Sequence, residues 1–190
     1  MKRICLNRKG KTVRNVFLIA LLLMLTWMVL GFPVVTAQAE LRRGEQACLV
    51  DGFTLLTQDR ACDFIRDTYG RRGNQFIRVS TRDAKLWSGN NIPTLFDAPE
   101  GILCIRRTLQ DSFLLLGDVE AVASVDFLAK NDLGQQVTGS LAERWEPEVL
   151  LISTLAGYGG YDDWNEHGWT AYVTLYDASG AVLKELTLPL

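Results

Sequence analysis

The first pattern along the chain is a run with no polar face at any period, Val16 to Leu30 (VFLIALLLMLTWMVL), followed by Gly31-Phe32-Pro33. Past residue 40 the patterning changes. Cys48-Leu49-Val50 and Phe53-Thr54-Leu55-Leu56 are short apolar runs around Asp51-Gly52, a dipeptide suited to a tight hairpin turn. Asp59 to Tyr69 has helical spacing: Ala61, Cys62, Ile65 and Tyr69 recur three and four apart, Asp59 is a cap residue, and Gly70 to Gly73 end the segment. Phe76 to Ser80 reads as a strand, and residues 84–101, with two prolines among Ser, Gly and Asn, read as loop.

Beyond that point the period is two. Val119, Ala121, Ala123, Val125 and Phe127 alternate with their neighbours, as do Trp169, Ala171, Val173 and Leu175, the pattern of strands with one buried face. Gly101 to Leu109, Phe113 to Leu116 and Glu148 to Leu155 are apolar runs of strand length. Asn131 to Gly134 and Asp177 to Gly180 supply turn chemistry, the second leading into Ala181 to Leu188 as the clearest hairpin. Val125 to Leu128 with its turn echoes Val173 to Tyr176 with its own, and two such hairpins suit a β-sandwich with Greek-key wiring. Leu175-Tyr176-Asp177 before Gly180 resembles the strand-turn-strand of immunoglobulin-like modules, over about a tenth of the chain. The expected fold is α+β and mostly β. Residues 40–110 form a small part of strands and one helix, and residues 111–190 an antiparallel, sandwich-like β part with an immunoglobulin-like form as one option. Residues 40–190 can also be one continuous domain.

Charge separates the N-terminus from the rest. The first 39 residues hold Lys2, Arg3, Arg8, Lys9, Lys11 and Arg14 and no acid, which leaves 14 Lys and Arg against 22 Asp and Glu, net −8, in residues 40–190. A basic start, an apolar run and Ala37-Gln38-Ala39 form a secretory signal pattern over residues 1–39, with Glu40 as the new N-terminus. The alternative is an uncleaved single-pass anchor, since Val16 to Val35 is about long enough to span a bilayer. Either way the remainder is expected outside the cytoplasm, periplasmic or secreted, where disulfides form. Cys48, Cys62 and Cys104 remain there, an odd number; Cys48 with Cys62 is the favoured pair and Cys104 a buried thiol, with the other pairings open.

Catalytic signatures are sparse. His167 is the one histidine, and no nucleophile elbow, dinucleotide or phosphate-loop motif or zinc pattern is present. No cofactor or metal is expected. The acidic remainder argues against nucleic acid, which needs clustered cations. The richest stretch for recognition is the segment between two expected strands: Tyr158, Tyr161, Trp164 and Trp169 offer flat faces to a sugar ring or peptide, and Asp162, Asp163, Asn165, Glu166 and His167 offer polar contacts. Residues 60–85 are +4 while the rest of residues 40–190 is −12, a dipole able to steer an anionic headgroup, polymer or acidic partner. The leading expectation is an exported, non-catalytic binding module whose partner is an envelope protein, a peptide or a glycan. A hydrolase built on His167 and a membrane-tethered structural component bridged by the odd cysteine are the alternatives.

Overall fold

The computed structural model describes residues 8–30, 36–62, 65–84, 87–107, 112–154 and 168–190. Two helices, α1 (Arg8–Leu30) and α2 (Ala37–Cys48), precede eleven strands in two antiparallel sheets. The first sheet is a meander of β1 (Thr54–Cys62), β2 (Ile65–Arg72), β3 (Gln75–Ala84) and β4 (Trp87–Asp97). The second joins β5 (Ile102–Arg106), β6 (Ser112–Gly117), β7 (Ser124–Asn131), β8 (Gln136–Glu146), β9 (Val149–Thr154), β10 (Trp169–Tyr176) and β11 (Val182–Pro189) in the order β11-β10-β7-β8-β9-β6-β5. Its last strand returns against β5, so the seven strands form a nearly closed barrel. The protein is α+β, mostly β and sandwich-like, as the sequence implies.

The alternation of the barrel strands follows from their having an inside. Val125, Phe127 and Ala129 of β7, Trp169, Ala171, Val173 and Leu175 of β10, Phe113 and Leu115 of β6, and Leu150 and Ile152 of β9 share one apolar core. The Phe113 and Phe127 rings lie 4.7 Å apart within it. Leu114 and Leu116 point the other way, and with Ile105 and Val149 they pack on Tyr69 and Phe76 of the four-stranded sheet. This explains why Phe113 to Leu116 is apolar without a break: both its faces are buried. The two hairpins that echo each other in sequence share a turn geometry. Asn131 Oδ1 accepts from the amides of Leu133 and Gln135, and Asp177 Oδ1 from those of Ser179 and Ala181. Gly134 and Gly180 close the turns at φ 78° and 82°, angles that glycine reaches without steric cost.

Several expectations are corrected. Residues 59–62 and 65–69 are not helix; they are the end of β1 and most of β2, paired in register with Asp59 opposite Asp67. Within them, Arg66 to Gly70 of β2 are buried on both faces. Residues 47–56 form no hairpin: α2 ends at Cys48, Leu49 caps it in a left-handed conformation, and β1 pairs with β2 alone. Residues 40–46 are helix and not a polar lead-in. The stretch 84–101 contains the 11-residue β4, which tolerates Pro93 because it is an edge strand. The wiring is not the two-sheet immunoglobulin-like one. The C-terminal strands make a single curled sheet, and the partner layer of the sandwich comes from residues 54–97.

Helix α2 covers the outer face of the four-stranded sheet. Leu41 packs with Phe53, Ile77 and Val79. At Gly44 a Cβ would fall 2.3 Å from the Val79 side chain, so only glycine permits this approach, although glycine within a helix costs about 1 kcal/mol relative to alanine.

Candidate functional site

The buried polar side chains of the four-stranded sheet gather toward one end of the sandwich, where β1 finishes, β2 begins and the N-terminus of α2 lies. Thr36 is the N-cap of α2, its hydroxyl accepting from the Ala39 amide. One residue on, Glu40 is 1% exposed and meets Arg66 at 2.9 Å. Its other oxygen accepts from Gln58 Nε2 at 2.8 Å and Thr68 Oγ1 at 2.9 Å. Near the other end of the helix Glu45 is also buried and accepts from the Phe53 amide at 2.8 Å. These two carboxylates fix α2 antiparallel to β1.

On the opposite face of the sheet, Arg107 grips Asp59 through two hydrogen bonds of 2.7 Å and lies 4.8 Å over the Trp145 ring. Asp67 is fully buried and accepts from the Ser80 hydroxyl. Tyr69 lies beside them with its hydroxyl buried and without a hydrogen-bond partner. Burial pushes its ionisation well above the ordinary tyrosine value, and the charge on Asp67 pushes it further. A phenol held neutral in this way can donate a hydrogen bond but cannot serve as a base. Burial also raises the Cys104 thiol inside the barrel, which makes it inert as a nucleophile. Among the described residues no cluster of His, Cys, Asp or Glu could hold a metal ion.

Arg60 of β1 and Arg82 of β3 are exposed at this same end, and Arg42 and Arg43 are exposed in the second turn of α2, just past Glu40. The other end of the sandwich is acidic. Asp51, Asp97, Glu100, Asp118, Glu120 and Glu146 are exposed there, with Arg71 joining Asp118 and Glu148, and Lys184 joining Glu100 at 2.9 Å. An open cleft of about 370 Å³ at this acidic end is lined by Glu120, Arg144, Trp145, Glu146 and Pro147. Arg144 is already committed to the carbonyls of Val119, Val122 and Pro147.

Of the residues singled out from the sequence, Tyr158, Tyr161, Asp162, Asp163, Trp164, Asn165, Glu166 and His167 lie outside the described residues. Their flanks do not: β9 ends beside Ser112, and β10 starts opposite Asn131, both at the arginine end. Trp169 is separate from that group. It is 4% exposed in the barrel core and offers no face to a ligand. Cys48 and Cys104 carry free thiols, and Cys104 is buried as expected. Cys48 sits by the start of β1, whereas Cys62 is that strand's last residue, its side chain outside the described set. The buried carboxylates Glu40, Asp59 and Asp67 carry no sequence signal beyond an acid near an arginine.

Helix α1 carries its apolar residues exposed on every side, among them Phe17, Ile19, Leu22, Leu23 and Met24. Among the described residues no helix is long and apolar enough to cross a membrane; in α1 the side chains of residues 12–26 are described, and the sequence carries the apolar run on from Trp27 to Leu30. No family model, curated protein or solved structure matches this chain.

Proposed function

We propose that this protein is a non-catalytic interaction module outside the cytoplasm, held at the membrane by a retained α1. The observation that carries this reading is the place of the Ala37-Gln38-Ala39 pattern: it is the first turn of α2, capped by Thr36 and followed directly by the buried Glu40. Cleavage after Ala39 would remove the cap, typically worth about 1 kcal/mol. It would also put an ammonium group at a helix N-terminus, where the backbone dipole disfavours a cation. The basic flank of α1, with Arg8, Lys9, Lys11 and Arg14, supports an orientation with that flank in the cytoplasm and the strands on the far side. A helix apolar on all sides supports burial in lipid, where no polar face is needed.

The test is the intact mass of the protein in the membrane and soluble fractions, without reductant and with free thiols alkylated. A full-length chain in the membrane fraction is expected. A chain beginning at Glu40 in the soluble fraction overturns the tether and makes the protein a released module. The same spectrum counts alkylated thiols and so reads whether Cys48 and Cys62 pair. The segment from Tyr158 to His167 leaves from the arginine end and remains our proposed contact for a peptide, glycan or envelope protein. Trp164→Ala should weaken capture of such a partner without moving the unfolding midpoint.

A further inference from the structure

We infer that the arginine end of the sandwich docks on anionic lipid headgroups of the membrane that holds α1, an inference that rests on the retention of that helix. Arg42, Arg43, Arg60 and Arg82 come from three different elements, are exposed, and make no ion pair with a described residue. Most described carboxylates around them are withdrawn from the surface: Glu40 faces Arg66, Asp59 is gripped by Arg107, and Asp67 is fully buried, while the exposed Asp132 in the turn after β7 stands beside the exposed Lys130. The balance of described charge presented at this end is therefore positive, while the balance of exposed charge at the far end is acidic.

Chain geometry points this end toward the bilayer. Six Cα steps separate Leu30, the last residue of α1, from Thr36, the cap of α2, a reach of at most about 20 Å. The ion pair and hydrogen bonds of Glu40 fix the N-terminus of α2 to the sheet beside Gln58, Arg66 and Thr68. The tether therefore enters the domain at its cationic end. Arginines so placed lie within a few screening lengths of the headgroups, where basic residues gain from a negative surface and carboxylates lose. The separation of charge gives one preferred orientation, with the acidic end away from the membrane.

The experiment is amide hydrogen exchange on the full-length chain in lipid nanodiscs, either of phosphatidylcholine alone or with about a third phosphatidylglycerol. Exchange in residues 40–44, 58–62 and 80–84 should slow by about threefold or more in the anionic discs only. Residues 97–101 and 117–120 at the acidic end should not change. Salt at about 0.5 M should abolish the difference, as should the combined variant Arg42→Gln, Arg43→Gln, Arg60→Gln, Arg82→Gln. Equal exchange in both compositions overturns the lipid docking, and is the result expected if Asp162, Asp163 and Glu166 neutralise these arginines. Loss of the chain from neutral discs at high salt instead overturns the tether itself, so the two failures are distinguishable. The salt titration on the unaltered chain keeps the proposal falsifiable if the variant does not fold.

Discussion

The barrel interior and the four-stranded sheet solve burial in different ways. Inside the barrel the buried side chains are almost all apolar, and neighbouring strands satisfy the backbone. The four-stranded sheet is packed on one face by α2 and on the other by the barrel wall, so the middle of β2, Arg66 to Gly70, has no solvent face on which to place charge. Its polar residues are consequently buried with partners: Glu40 with Arg66, Asp59 with Arg107, and Asp67 with Ser80. The barrel gains from area removed from water, whereas the layer beside it depends on each charge keeping its partner, since a buried ion pair stabilises little but its loss costs much.

The largest expected effect is in the barrel. Phe127→Ala removes a buried ring that stacks on Phe113 and should lower stability by about 4 kcal/mol in denaturant titrations, through lost transfer energy and the cavity left behind. Next is Asp59→Ala, which leaves Arg107, its side chain only 12% exposed, without its carboxylate and should cost about 3 kcal/mol. Combining Asp59→Leu with Arg107→Met should recover most of that loss. If the double variant is no better than Asp59→Ala, the two regions do not differ in the way described.

A third test uses pH. In the folded protein burial holds Tyr69 and Cys104 neutral above their ordinary values of 10.0 and 9.0. The unfolded chain ionises at those values, so stability is full below pH 9 and falls as pH rises through 9 and 10. The loss is about 1.4 kcal/mol per pH unit for each group once its unfolded form has ionised. Tyr69→Phe should remove the part of that slope that begins at pH 10. Because the hydroxyl has no partner, the substitution should cost less than about 1 kcal/mol at neutral pH. The smallest effect is at the end of α2. Leu49 is held at φ 56° as the helix cap, and Leu49→Gly should raise the unfolding midpoint, with a gain of about 0.5 kcal/mol.

The same contrast explains what could be foreseen. The hairpin from Trp169 to Leu188 was legible because one face of each strand meets the barrel core and a side-chain-capped turn joins them. The helix expected over Asp59 to Tyr69 was wrong because Arg66 and Asp67 look solvent-facing until their partners, 26 and 13 residues away in sequence, are known. α2 was missed because Leu49 stands where a glycine would mark a helix end, and because Glu40 and Glu45, polar on paper, are buried. Of the recognition residues, Trp169 was misjudged: aromatic character does not tell a ligand platform from a core residue, and only the inward register of β10 decides between them.

The charge asymmetry of the chain, the unbroken apolar run of α1 and the alternating strands are legible in the residues, since each depends only on residue types at local spacing. Long-range contacts decide that β5 to β11 curl into one barrel, that residues 54–97 supply its partner sheet, and that Glu40, Asp59 and Asp67 turn inward onto Arg66, Arg107 and Ser80. Those outcomes depend on which distant residues meet. A carboxylate is stable in the interior only where the fold brings it a partner, and local pattern carries no record of that meeting.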